Sequence, residues 1–190
     1  TTTDYVDGRP LTDNVIDFED LVLMSINFYT AGSGLPSVVG GGAASLAGRG
    51  HTERSASESR VSVAAGVAAE VGGTFEAVVW LESAGDVKAV SVALEYDAAV
   101  VEPVGEVGGE LLSRQAGPAQ VLTGRAGVVD AAVLGGELTF TGRGELARVR
   151  FRVTAAGEPR ITLGTVQARD ARNRPVTLGQ ALGVMPPAAA

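Results

Sequence analysis

Six residues near the start of the chain carry side chains suited to a hard cation: Asp4, Asp7, Asp13, Asn14, Asp17 and Asp20. Calcium takes oxygen ligands, and an EF-hand loop supplies them from positions 1, 3, 5, 7, 9 and 12, with a sharply turning residue at 6. With Asp20 at position 12, Asp17 falls at 9 and the apolar Ile16 at 8. The carbonyl of Val15 then falls at 7, Asn14 at 6 and Asp13 at 5. Asn tolerates the left-handed backbone that position 6 requires, though less readily than Gly. Counting straight back puts positions 3 and 1 on Leu11 and Arg9, which offer no carboxylate. An insertion around residues 8–12 restores the pattern and brings in Asp4 and Asp7. The expected cofactor is Ca²⁺, held by Asp4, Asp7, Asp13, Val15, Asp17 and Asp20. The competing reading is a capped helix preceded by a solvated acidic loop.

A helix must position the last of these ligands. The segment from Asp17 to Tyr29 reads Asp-Phe-Glu-Asp-Leu-Val-Leu-Met-Ser-Ile-Asn-Phe-Tyr. Asp17 is placed to cap it, with Asp20 three residues on in a capping-box arrangement. Gly32 lies just past its end, where a C-cap glycine is favoured. Leu21, Val22, Leu23, Met24, Ile26, Phe28 and Tyr29 nearly encircle it. Such a helix must be buried against something, and one this short is marginal alone in water. Leu21, Val22, Met24, Ile26 and Phe28 are therefore the expected partner-binding residues, with the helix docked on its own domain or on another molecule.

Beyond the helix the composition changes twice. Residues 31–59 are rich in Gly, Ser and Ala, as in a flexible linker. Residues 60–182 alternate Val-rich runs with glycine-containing breaks, and 183–190 read as a tail. Strands are expected at 60–64, 74–81 and 87–96, and near 98–104, 119–123, 126–134, 137–140, 145–153 and 160–167. A short turn is expected at Glu110–Arg114. In Arg148-Val-Arg-Phe-Arg-Val charged and apolar residues alternate, as in a half-buried strand. Turn signals roughly 8–12 residues apart point to a β-sandwich or jelly roll.

Composition narrows the function. The net charge of −7 opposes a phosphate backbone, so nucleic acid is excluded as a partner, whereas acidity suits calcium. The absence of cysteine removes disulfides and thiolate chemistry. No apolar run approaches the ~20 residues of a membrane span. The chain starts at Thr1 without methionine or a signal peptide, as a processed or excised fragment would. Catalysis finds little support, because His51 is the only histidine and lies in the linker. Glu76, Glu82, Glu95 and Glu102 are expected to be solvent-facing partners of Arg. Trp80, within an apolar strand, is expected in the core rather than as a platform for a sugar.

Two resemblances add to this reading. Asp13-Asn-Val-Ile-Asp-Phe-Glu-Asp-Leu-Val-Leu resembles the second half of a dockerin calcium loop and its exiting helix. A full dockerin has two such loops; this chain shows one. Residues 60–180 resemble a cohesin, through Gly72-Gly-Thr-Phe, Val90-Ser-Val-Ala-Leu-Glu-Tyr-Asp, Gly109-Glu-Leu-Leu, Gly127-Val-Val and Gly142-Arg-Gly-Glu-Leu-Ala-Arg-Val-Arg-Phe-Arg-Val. In physical terms, Tyr96 can close a strand end with its hydroxyl bonded, and Asp97 can accept N–H bonds in the following turn. Gly142 and Gly144 can permit a tight connection into the next strand. The expected fold class is all-β, a cohesin-like jelly-roll β-sandwich with a short N-terminal calcium-loop and helix segment.

The cohesin resemblance implies an extracellular or cell-surface protein of a bacterium or archaeon that binds dockerins through one sheet face. With a dockerin-like segment in the same chain, it suggests calcium-dependent head-to-tail assembly into a filament. Three rivals stay open: a helix docked on its own sandwich with a separate dockerin-bearing partner, a module that binds polysaccharide, and an enzyme.

Overall fold

The period-two pattern of the Val-rich runs does build strands, and their apolar faces close on each other. The structure is a computed structural model that describes residues 5–6, 9–10, 16–28 and 59–182. A two-residue pair, β1 (Tyr5–Val6) and β2 (Arg9–Pro10), comes first, followed by helix α1 (Phe18–Asn27). Then come β3 (Arg60–Ala65), β4 (Thr74–Val87), β5 (Ala89–Glu95), β6 (Val101–Gly108) and the short α2 (Glu110–Ser113). β7 (Ala119–Leu122), β8 (Val128–Val133), β9 (Phe140–Val153), β10 (Thr162–Arg169) and β11 (Gly179–Leu182) complete the chain.

The larger strands form two sheets. One has five strands in the order β11-β3-β4-β9-β6, the other four in the order β10-β5-β8-β7. Neighbours run antiparallel except β11, which pairs parallel with β3. Val61, Val79, Leu81, Val149 and Phe151 of one sheet meet Val90, Val92, Val129, Ala131 and Val133 of the other in a single core. With few aromatics available, this core is mainly Val, Leu and Ala, whose branched side chains suit a pleated surface. Phe75 stacks on Phe151 with centroids 5.8 Å apart, and Tyr96 meets Phe151 edge-on at 5.2 Å. Gly127 (φ +74°) lets the chain pass Tyr96, since a Cβ there would lie 3.0 Å from its ring.

Several sequence expectations are adjusted. The strands expected at 137–140 and 145–153 are one strand, β9, starting at Phe140 after a turn closed by Leu138 N–H to the carbonyl of Gly135. Gly142 and Gly144 therefore lie within a strand rather than in a connection. A Cβ on Gly144 would sit 3.2 Å from the Leu111 side chain, so this glycine lets α2 approach β9. Asp97 does accept the expected turn bond, from Ala99 N–H at 3.0 Å. β11 carries no alternation of its own and exists through its pairing with β3. α1 ends at Asn27; Gly32, the residues 31–58 of the expected linker and the tail lie outside the described residues.

Candidate functional site

The four-stranded sheet has a second face, turned away from the core. Along β5 and β8 this face presents Ala89 opposite Ala132 and Ser91 opposite Asp130; β7 adds Leu122 opposite Asp130. Two adjacent alanines make a shallow strip, and α1 lies on it. Phe18, Leu21, Val22 and Ser25 follow the i, i+3, i+4, i+7 spacing of one helical face, and all four are buried. Phe18, Leu21 and Val22 pack with Ala89 and Ala132 in a cluster separate from the sandwich core, with Ile26 and Leu122 at its edge.

Polar contacts fix the helix at both ends. Asp17 Oδ1 accepts from the N–H of Glu19 at 2.9 Å and of Asp20 at 3.4 Å, while Asp20 Oδ2 accepts from Asp17 N–H at 3.2 Å. This is the capping box that the sequence leads one to expect. Glu19 pairs with Arg169 of β10 at 3.1 Å. Near the C-terminal end, the carbonyl of Ser25 accepts from Gly135 N–H at 2.8 Å.

The turn that holds Ser25 is itself held from below. Lys88, the sole lysine of the chain, is fully buried between β4 and β5. Its ammonium donates to the carbonyls of Gly135 at 2.7 Å, Gly136 at 2.9 Å and Leu138 at 2.9 Å. Those are all the donors an ammonium has. Burial lowers the Lys88 pKa to about 8, against a smaller opposing pull from the Glu137 carboxylate. Lys88 thus fixes the shape of the 135–138 turn that contacts α1.

Asp130 is the other buried charge of this face. Burial raises its pKa, with an opposing hydrogen bond from Ser91 and attraction from Arg125 at 3.4 Å, while the Asp17 carboxylate pushes it further up. One oxygen, Oδ1, has no hydrogen-bond partner among the described residues. Glu19 and Arg169 pair with each other above the same sheet. A carboxyl whose pKa is higher under the helix than on an open sheet binds its proton more tightly when the helix is docked. Its contribution to docking is full at low pH and is lost as pH rises through the raised value. Acidification from neutral through that value is therefore expected to tighten α1, read as slower amide exchange over residues 18–28. Asp130→Asn is expected to flatten the response; an unchanged profile in that variant rules Asp130 out as the titrating group.

The residues singled out from sequence now have places. Leu21 and Val22, expected to dock on the chain's own domain or on another molecule, are buried against the chain's own sheet, because one helical face suffices to cover the alanine strip. Ile26 is half-buried, and Met24 and Phe28 are on the exposed side. Asp17 and Asp20 lie together at the helix start. Each spends one oxygen on the cap, and Asp17 Oδ2 and Asp20 Oδ1 accept no hydrogen bond from a described residue. The cap residue and its third successor have the spacing of loop positions 9 and 12, so these two residues fit both roles. Asp4, Asp7, Asp13 and Val15 lie outside the described residues, and among the described residues no three acidic or histidine side chains converge on one point.

Elsewhere, Glu76 sits between Arg148 at 3.6 Å and Arg150 at 3.7 Å, and Glu102 pairs with Arg152, as expected of strand-borne acids, whereas Glu82 and Glu95 form no ion pair with a described arginine. His51 lies outside the described residues. Trp80 is a correction: it is half-buried on the outer face of the five-stranded sheet, not in the core, because β4 alternates and Val79 and Leu81 take the inward positions. Lys88, Asp130 and the two alanines were not singled out from sequence, although a lone lysine and a lone aspartate inside apolar strands were signals available to be read.

The family model for the Cohesin domain matches residues 61–176. Among solved structures, the second type II cohesin module of a cellulosomal adaptor scaffoldin from Acetivibrio cellulolyticus is 17% identical, with a TM-score of 0.53 over 67% of this chain and 94% of that one. A cohesin of the same organism, in a type II cohesin–X–dockerin complex, is 16% identical with a TM-score of 0.52, over 66% of this chain and 95% of that one. The cohesin module of a Clostridium perfringens family 33 glycoside hydrolase is 16% identical with a TM-score of 0.51, over 66% and 97%. At these identities the likeness is one of fold. No curated protein matches the chain.

Proposed function

The chain belongs to the cohesin domain family, and on that premise we propose that it is a non-enzymatic protein–protein assembly module of the cell exterior, which receives a dockerin-type helix on the outer face of its four-stranded sheet. The observation that carries this is α1 itself: an amphipathic helix of the same chain already seated on that face, with Phe18, Leu21 and Val22 buried on an alanine strip. A helix laid in an apolar groove is a recurring recognition mode, read as anchors at i, i+3 and i+4. The dockerin complex formed by one of the structural neighbours fits the same reading.

The helix that fills the face belongs to the chain, so a second copy can supply it equally well. Residues 29–58 separate α1 from the sandwich, and a segment of that length can extend to about 100 Å. In exchange, α1 of one subunit occupies the face of the next, by the contact drawn here within one chain. Such a head-to-tail contact propagates as a filament unless its geometry closes a ring.

Calcium is the proposed gate. Asp17 and Asp20 supply the end of the loop, and Asp4, Asp7, Asp13 and the Val15 carbonyl supply the rest. The cation, when bound, neutralises these carboxylates and ties the loop to the first turn of α1. It thereby orders the anchors Phe18, Leu21 and Val22 for docking.

The test is molar mass by light scattering, in millimolar calcium and then in excess chelator. Large particles that disperse on chelation are the expected result. A monomer in both conditions overturns the exchange, leaving α1 docked on its own sandwich and directing the search to a separate dockerin-bearing partner. A calorimetric calcium titration unchanged by Asp20→Asn overturns the ligand assignment separately.

A further inference from the structure

The outer face of the five-stranded sheet lies on the opposite side of the sandwich from α1, and it contains a cleft that assembly does not use. The cleft has a volume of about 220 Å³ and is lined by Arg60, Ser62, Trp80, Glu82, Arg143 and Ala181. Strand register puts these residues in two adjacent cross-strand rows. Arg60 of β3 stands opposite Glu82 of β4, which stands opposite Arg143 of β9. In the next row outward-facing positions bring Ala181 of β11, Ser62 of β3 and Trp80 of β4 side by side.

Each row has an unusual property. Along its own row, toward β11, the sole tryptophan of the chain is flanked by a serine and an alanine, which are too small to cover an indole. In the charged row, neither guanidinium nor the carboxylate between them makes a side-chain hydrogen bond or ion pair with a described residue. Elsewhere on the same face the charges are spent: Glu76 serves Arg148 and Arg150, and Glu102 serves Arg152. Strand arginines here normally find a carboxylate, so two guanidiniums with no partner among the described residues, beside a half-buried indole, stand out from their surroundings.

We infer that this cleft binds one uronate ring of an acidic polysaccharide, with Trp80 as the stacking platform and Arg60 and Arg143 as the carboxylate clamp. The chemistry points to this class. A pyranose ring presents a flat C–H face to an indole, whose electron-rich surface attracts it, and its edge carries hydroxyls. A planar guanidinium pairs with a carboxylate through two parallel bonds, a match that an ammonium does not offer. Glu82, between the two arginines, is an acceptor for a hydroxyl. A ligand that is anionic only would be repelled by Glu82, and a neutral sugar would leave the guanidiniums unused. The net charge of −7 repels a long polyanion as a whole, so the clamp acts only at contact range on the carboxylate of one ring, where free charges more than about 8 Å away are screened at physiological ionic strength.

Trp80 is its own reporter, as no other tryptophan contributes to the emission. The full chain is titrated with tetragalacturonate, with cellotetraose as the neutral control and with a tetra-aspartate peptide as the acidic non-sugar. The expected result is a saturable change in Trp80 emission with tetragalacturonate, at affinity roughly tenfold or more above either control. Arg143→Gln and Arg60→Gln are each expected to weaken it by about the same factor, and Trp80→Ala to abolish the calorimetric signal. These positions face solvent, so the variants are expected to fold as the parent does. No emission change at millimolar tetragalacturonate overturns the site. Equal binding of cellotetraose overturns the acidic class, equal binding of the peptide overturns the sugar class, and affinity unaffected by either arginine variant overturns the clamp. Each readout is independent of particle mass, so the fate of this site and that of calcium-gated assembly are separable.

Discussion

Replacing Leu21 and Val22 together by Asp is expected to release α1 from the sheet while leaving the sandwich folded. Both side chains are fully buried in the docked helix, and each contributes about 1.5–3 kcal/mol by that burial. Aspartates at the same sites must either stay in water or be desolvated without partners, so the docked form falls by on the order of a thousandfold. The sandwich is expected to tolerate this because its core is built from strands β3 to β10 and α2, with Leu178, and takes no residue of α1. Amide exchange over residues 18–28 is expected to become fast, and the thermal midpoint of the sandwich to move little. If the whole chain unfolds instead, α1 is part of the domain core, and the exchange of α1 between subunits loses its basis. Persistent protection of α1 would mean that Phe18, Ser25 and the Arg169–Glu19 pair hold it without its two central anchors.

The second large effect is expected at Lys88. Methionine there nearly matches the stem of the lysine in length and is apolar, but it donates nothing. The carbonyls of Gly135, Gly136 and Leu138 each lose the partner they have at 2.7–2.9 Å. Leaving a buried carbonyl without its donor costs about 1–3 kcal/mol, a sizeable share of a domain's typical 5–15. Lys88→Met is expected to lower the urea midpoint accordingly at unchanged slope. The same change should loosen α1 from a distance, since the turn that Lys88 holds gives Gly135 N–H to Ser25. A normal urea midpoint would show that water or a shifted turn satisfies the carbonyls. A destabilised sandwich with α1 amides still fully protected would show that the turn does not transmit to the helix.

Much of this architecture is legible in the sequence. Alternation in Arg60–Ala64, Thr74–Leu81 and Arg148–Val153 is a local property, because every second side chain must choose the same face. The same holds for the cap of α1: Asp17 and Asp20 need only each other's backbone, three residues apart. The turn expected at Glu110–Arg114 is the short α2, whose Leu111 is buried in the core.

What escaped the sequence depends on partners far along the chain. β11 has no pattern of its own and is a strand because β3, more than a hundred residues earlier, offers it an edge. Trp80 looked like core because its neighbours are apolar; which side of β4 faces inward was decided by the register with β3 and β9.

The sequence alone determined a helix with a capped start that had to be covered and a series of Val-rich strands that pair into a sandwich. Only the tertiary structure decided where that helix rests. Ala89 and Ala132 lie more than forty residues apart, and nothing local marks them as a seat. They become one when β5 and β8 pair, because small side chains side by side on a sheet leave the depth that a helix needs.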